Sequence, residues 1–345
     1  MTDQGLTVAI TGPTGAIGKP LLRALENDPK VARVVGMARR PFDPASEGWT
    51  KVEYRQGDIL DPDSVRSLVI GADVVVHLAF LIFGSSDETE RINIEGSRNV
   101  FAAAFDAGVE RLVYTSSVAA YGFHEDNPVP LTEDVAARGE ETHYYSHQKA
   151  VLEEVLLEMA AGRKTDVFVF RPCIVAGPHA TELIENIPYV QLGEKLPGPV
   201  RSLVGTIPLL RPVIPDPGTP FQLVHEDDVA TALASAIGGG RVPGAYNLAG
   251  PGELTLGDLA QALGWYTIPV PELAVDVTAK VVSSLPLMPT RTQWIQAISV
   301  PVLMDTSKAR MNLGWAPQYD AMETLAETIA GARDKGMLPN ALFTP

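Results

Sequence analysis

Residues 6–18 read LTVAITGPTGAIG: a short apolar run of β character opens straight into a loop with glycine at positions 12, 15 and 18. Lys19 to Glu26 then has helical spacing, with Leu21, Leu22 and Leu25 on one side. The alternation repeats outward from this unit. VARVVGMA (31–38), VVVHLAF (74–80), RLVYTSS (111–117) and DVFVFRP (166–172) read as strands. Helical patterns lie at 88–107, where Val100/Ala104 and Phe101/Phe105 are four apart, and at 144–161, where Leu152, Val155, Leu156 and Met159 turn inward. Such alternation predicts an α/β fold, a doubly wound parallel sheet covered on both faces, with ligand at the carboxyl ends of the strands. After Pro178 the pattern breaks, and residues 193–220 are rich in Pro and Gly. FQLVHEDDVATALASAI (221–237) restores a strand and a helix, and GAYNLAG (244–250) another strand.

Tyr145-x-x-x-Lys149 falls on the second of these helices, and the serine pair of VYTSS (Ser116, Ser117) precedes it by 28 residues. Four residues apart on a helix places the two side chains on one face. A phenol near pKa 10 is a poor acid–base catalyst at neutral pH. A nearby ammonium favours phenolate and can lower that value by roughly 1–3 units. A serine hydroxyl can hold a substrate oxygen while the tyrosine moves its proton. Together these groups suit hydride chemistry at a carbinol or carbonyl carbon. A Tyr-x-x-x-Lys pair alone arises by accident about 0.2 times in a chain of this make-up, and the glycine triplet at a similar rate. Their occurrence in order, each in a fitting strand or helix context, is what carries weight.

The net charge of −15, from 42 acidic and 27 basic residues, argues against nucleic acid, whose binding needs a basic face, and disfavours an anionic membrane surface. No run of about 18 uncharged apolar residues predicts a membrane span, and no basic segment followed by an apolar run marks a signal peptide. Cys173 is the only cysteine, which suits a reducing cytoplasm. His143 and His147 have the i, i+4 spacing of a metal pair, but no third ligand is suggested; a solvated helix face is the better reading and no metal is assigned.

Ten stretches, in order, resemble the extended short-chain dehydrogenase/reductases, the epimerase/dehydratase group. They are TGPTGAIG, GDI (57–59), HLA (77–79), NIEGSRNV (93–100), LVYTSSVAAYG (112–122), YYSHQK (144–149), RPCIVAGP (171–178), VHEDDVA (224–230), YNLAG (246–250) and LGWAP (313–317). The resemblance implies a Rossmann domain over 1–176, with returning segments near 217–250 and 300–308, and a smaller substrate lobe from 177–216, 251–299 and 309–345. It also implies a homodimer through the helices near 88–107 and 144–161. Carried residue by residue, it assigns Gly12, Gly15 and Gly18, with Thr14, Ala16 and Ile17, to the pyrophosphate turn. Asp58 and Ile59 would flank the adenine, Leu78 and Ala79 would underlie the ribose, and Thr115 and Pro172 complete the cofactor set. The catalytic residues would be Ser117, chosen over Ser116 by its distance from the Tyr-Gly pair, Tyr145 as proton donor or acceptor, and Lys149 on the nicotinamide ribose. Asn93 is open between a catalytic and a strand-bridging role. Cys173 reads as packing.

The departures bear on substrate. Nucleotide-sugar members of the family place an asparagine where this chain has Ile174 and an arginine where it has Phe221. A further arginine gives way to the neighbourhood of Trp294 and Ile295, with Arg291 the nearest candidate. Val118 and Ala119 after Ser117 replace the Asp-Glu pair of the dehydratases. The expectation is an NAD(P)-dependent oxidoreductase acting on a secondary alcohol or ketone of a largely apolar small molecule. A sugar epimerase holding NAD is the alternative, and a non-catalytic dinucleotide sensor a third. Leu196, Leu203, Val204, Ile207, Leu209 and Leu210 are candidates to line the pocket. NADP is favoured and NAD possible, because counting some 20 residues past the loop lands on Ala38, where an acidic residue would bind a ribose 2′-hydroxyl. Arg39 and Arg40 follow and could pair with a 2′-phosphate, or else form a solvated basic turn.

Overall fold

The computed structural model describes residues 5–82, 84–187, 189–191, 211–270 and 300–338. Strands β1 (Leu6–Thr11), β2 (Val31–Ala38), β3 (Val52–Gln56), β4 (Val74–His77), β5 (Arg111–Thr115) and β6 (Asp166–Pro172) form one sheet, joined at its edge by β10 (Gly244–Leu248). Their order is β10-β6-β5-β4-β1-β2-β3, and every neighbouring pair is parallel. The order reverses between β1 and β4, which opens the ligand crevice of a doubly wound sheet beside the glycine loop.

The alternation along β1 shows why both faces are covered. Val8 and Ile10 enter one core with Leu21, Leu22 and Leu25 of α1 (Gly18–Glu26) and Val229 and Leu233 of the helix Glu226–Ile237. Ala9 points the other way, into a core with Leu68 of α2 (Pro62–Val69), Phe101 of α4 (Gly96–Ala107) and Leu152 of α5 (Tyr144–Ala160). Strands buried on both faces carry near-continuous Val and Ile, as VVVH in β4 does.

Three differences from the sequence expectation have local causes. β4 ends at His77 rather than Phe80, because Leu78 N makes the last rung to Thr11 O at 3.1 Å and β1 itself stops at Thr11, where the glycine loop begins. The helix at 88–107 begins at Ser86 and is interrupted: α3 (Ser86–Glu90) leads into a π-helical turn, Arg91–Glu95, before α4. That wide turn places the Asn93 side chain in the buried interior. β3 and α2 were not anticipated, although Asp61 and Pro62 carry a cap signal; the Asp61 carboxylate accepts from Asp63 N and Ser64 N.

The smaller core lies over β7 (Ile174–Ala176) and β9 (Leu223–His225), which pair with each other, while β8 (Val213–Asp216) between them in the chain pairs with Tyr266–Pro269. Ala176, Leu223, Leu254, Leu259, Leu325 and Ile329 are buried in it, and Ile174 and Phe221 pack against it. Phe221 also exchanges backbone hydrogen bonds with Leu254, at 2.8 and 2.9 Å. Arg291, Trp294, Ile295 and the leucine-rich set Leu196, Leu203, Val204, Ile207, Leu209 and Leu210 lie outside the described residues.

Candidate active site

The glycine loop is built by two glycines that cannot be replaced without moving backbone and one that can. Gly12 has φ +73°, and a Cβ there would stand 2.8 Å from Ala79 N. A Cβ on Gly18 would stand 2.4 Å from Gly12 O and 2.5 Å from Pro13 C. At Gly15, which is exposed, a Cβ would meet nothing nearer than Gly12 O at 3.6 Å. Gly12 and Gly18 therefore shape the loop, and Gly15 leaves bare backbone on its open side. α1 starts at Gly18 with no side-chain cap from Ile17 and no acidic residue in its first turn. Its amide end is left to attract an anion, so loop and helix suit a pyrophosphate.

Beneath the loop, Thr11 Oγ1 lies 2.6 Å from His77 Nδ1, and His77 Nε2 lies 2.8 Å from Ser97 Oγ. Burial, with a smaller contribution from the Lys149 charge, pushes His77 down to about 3, so the ring is neutral. Leu78 and Ala79 are thereby held against the loop, where Ala79 N also reaches Thr11 Oγ1 at 3.4 Å.

At the end of β2, Arg39 and Arg40 are exposed, and neither enters an ion pair among the described residues. Gln56 Nε2 donates to Arg39 O at 2.9 Å, and Tyr54 OH donates to Arg40 O and to Ala38 O. The turn is thus fixed by β3 and its guanidinium groups face solvent. Asp58 accepts from Leu60 N at 2.9 Å, while the Ile59 side chain packs on Gly96 and its carbonyl takes Asn99 Nδ2 at 2.9 Å.

Ser117 caps the turn Val118–Tyr121, accepting from Ala119 N at 3.2 Å, and its hydroxyl hydrogen-bonds the Tyr145 phenol. Ser116 Oγ is buried with no partner among the described residues. Ser146 Oγ donates to Ala119 O at 2.6 Å, so the first turn of α5 is tied to the turn that carries Ser117. Lys149 is 3% exposed, donates to Thr115 O at 2.9 Å, and sits 3.7 Å above the Phe80 ring and 5.9 Å from the Tyr145 ring centre. Phe80 also meets Tyr145 edge-on at 5.5 Å. Pro172 ends β6, buried, in register with Leu248.

The electrostatics differ from the sequence expectation in one respect. Burial pushes the Tyr145 phenol above its usual range, and the Ser117 hydrogen bond opposes this only in part. Burial also lowers Lys149 to about 7, against the pull of Glu153. With the lysine itself desolvated, its charge does not win over burial of the phenol.

His143 and His147 part company. His143 is 4% exposed, accepts from Ser146 N at 3.3 Å as the cap of α5, and packs against Phe123 at 5.3 Å; only His147 faces solvent. Asn93 accepts from Leu81 N at 2.8 Å and donates to Leu81 O at 2.9 Å and to Gln148 Oε1 at 2.8 Å, the bonds of a bridge. Burial pushes the Cys173 thiol up, away from a reactive thiolate. Phe80, Glu153 and Arg171 went unnoticed in the sequence. The signal for the last two was charge at positions whose helical or strand neighbours are apolar.

A parallel doubly wound sheet with this loop, serine, tyrosine and lysine on its carboxyl edge defines a dinucleotide-dependent α/β enzyme. The model of the NAD dependent epimerase/dehydratase family matches residues 8–249, and the chain belongs to that family. Sterol demethylase protein B of Methylococcus capsulatus is 27% identical over 354 residues, covering 96% of this chain and 100% of that protein. The 2-alkyl-3-oxoalkanoate reductase of Shewanella oneidensis is 30% identical over 212 residues, 57% of this chain and 52% of that protein. Among solved structures, the Bordetella bronchiseptica enzyme WbmH in complex with NAD+ has a TM-score of 0.69 at 23% identity, covering 96% of this chain and 99% of that one. Among the described residues no helix is long and apolar enough to cross a membrane.

Proposed function

We propose that the protein is an NAD(P)-dependent oxidoreductase acting at a secondary alcohol or ketone of a largely apolar small molecule. The observation that carries this reading is the convergence of Ser117, Tyr145 and Lys149 beside the glycine loop. A bound nicotinamide would take or give the hydride. Ser117 Oγ holds the substrate oxygen, and Tyr145 Oη takes the hydroxyl proton in oxidation or returns it in reduction. Lys149 holds the nicotinamide ribose and offsets charge on the phenolate.

The apolar character of the substrate is supported by Ile174 and Phe221, which bring no charge to the small core. A nucleotide diphosphate buried there without cations would meet a desolvation cost of several kcal/mol per charge. The names of two relatives, a sterol demethylase protein and a 2-alkyl-3-oxoalkanoate reductase, point the same way. The family also contains epimerases, and a nucleotide-sugar epimerase is the second reading. Absorbance of the reduced nicotinamide, followed across a panel of apolar secondary alcohols and ketones, is expected to find turnover. In calorimetry with dinucleotide present, UDP-glucose, UDP-galactose and a dTDP-sugar should show no low-micromolar binding. Such binding would sink the apolar reading and promote the epimerase.

We infer a preference for NADP from the exposed Arg39 and Arg40 and the absence of a carboxylate at Ala38. Fluorescence titration should show NADPH binding at least about tenfold tighter than NADH, and Arg39→Ala/Arg40→Ala erasing the difference. Equal or tighter NADH binding would remove the argument. A cytoplasmic homodimer through α4 and α5 goes with this reading; Leu157 of α5 is 62% exposed, an apolar side chain such an interface would cover.

A further inference from the structure

Lys149 is an ammonium in a hole that does not suit one. Around it stand the rings of Phe80 at 3.7 Å, Tyr114 at 5.1 Å and Tyr145 at 5.9 Å, and its ammonium donates to a neutral carbonyl, Thr115 O. Aromatic faces attract a cation, but a desolvated lysine tends to lose its proton. One turn further along α5 lies Glu153, 4% exposed. Its carboxylate is held by Arg171 of β6, with Nε 3.0 Å from Oε1 and Nη2 2.5 Å from Oε2. Arg171 in turn lies 4.5 Å over the Tyr121 ring, whose hydroxyl donates to Asn247 Oδ1 at 2.7 Å. The pair is therefore fixed from β6, β10 and the turn that begins at Ser117.

We propose that Glu153 and Arg171 are positioning residues for Lys149: the buried carboxylate supports the ammonium one turn away, while the guanidinium, by occupying both carboxylate oxygens, keeps that ammonium on Thr115 O and out of a direct ion pair. The proposal rests on the reading of Lys149 as the residue that serves ribose and tyrosine. A bare carboxylate would draw Nζ off its carbonyl, and no carboxylate would leave the lysine neutral. The pair supplies a field without a tether. The groups facing Lys149 are consistent with this division: Tyr145 and Glu153 from α5, Tyr114 from β5, and His77 from β4, which burial keeps neutral. Glu153 alone among them is a source of negative charge, and it is what works against the burial that brings Lys149 to about 7.

The test reads the lysine directly. The protein has nine lysines, and in protein carrying [ε-13C]lysine the Lys149 resonance is the one missing from Lys149→Met. Its titration is expected near 7. Glu153→Gln/Arg171→Met removes the pair without leaving an unpaired charge, which preserves folding. In that variant the Lys149 titration should fall by more than about one pH unit. Arg171→Met alone should raise it by a similar amount and weaken dinucleotide binding, as Glu153 turns to the lysine. A Lys149 titration unchanged in the double variant would overturn the proposal and leave the pair a packing feature. Where Arg171→Met does not fold, the double variant decides. No substrate enters the measurement, so absence of turnover on apolar ketones would count against the proposed function and leave this result standing or falling alone.

Discussion

Tyr145→Phe is expected to lower kcat by on the order of 10²–10⁴-fold while dinucleotide affinity stays within a few-fold. The phenol would carry the proton, whereas binding would rest on the glycine loop and Lys149. Removing one hydroxyl leaves the ring, its edge-on contact with Phe80 and the α5 backbone in place, so the protein should fold unchanged. Lys149→Met should instead damage turnover and dinucleotide affinity together. Steady-state rates and fluorescence titration on both variants check this. Retention of more than about a tenth of wild-type activity by Tyr145→Phe would show that another group moves the proton.

The second large effect separates the three glycines. In Gly18→Ala the new methyl group meets Gly12 O and the Pro13 backbone at 2.4–2.5 Å, so the loop itself must move. Overpacking of this kind costs about 1–3 kcal/mol, and dinucleotide affinity should fall by a hundredfold or more, about 2.7 kcal/mol, because the anion site is the loop. Gly15→Ala meets nothing closer than 3.6 Å. Its stability should stay within about 0.5 kcal/mol of wild type, yet it should bind dinucleotide about tenfold more weakly, since the methyl group stands where phosphate approaches. Thermal unfolding alongside titration makes the comparison. If Gly15→Ala bound dinucleotide as tightly as wild type, the open side of the loop would not be the pyrophosphate site.

The sheet was legible because β1, β2, β5 and β6 are apolar on both faces, and an apolar run between glycine or proline signals admits few other readings. β3, with the sequence VEYRQ, was not, because an edge strand shows half its face to water and alternates too briefly to stand out. The π turn at Arg91–Glu95 leaves the helical periodicity almost intact, so no pattern in the sequence betrays it. At the site, spacing together with the order of the motifs singled out Tyr145 and Lys149, and the family resemblance, through the distance to the Tyr-Gly pair, singled out Ser117 over Ser116. Their pKa values were not legible, since the shift comes from how deeply neighbours such as Phe80 and Tyr114 bury them. His143 shows the same limit: the spacing reads it on a solvated helix face, but it is the buried cap just before α5, and that burial depends on Phe123, which arrives from a different loop.

The edge position of β10 has a consequence for synthesis. β6 ends at Pro172, but the strand that pairs with it does not begin until Gly244, after most of the segment that interrupts the alternation has been made. A nascent chain that has completed β6 therefore carries a Val- and Phe-rich edge with its backbone groups unpaired. Such edges recruit other strands, and pairing over that sequence distance is slow to form. The chain is committed to a vulnerable interval between the two strands, and truncation after Pro178 would make that interval permanent.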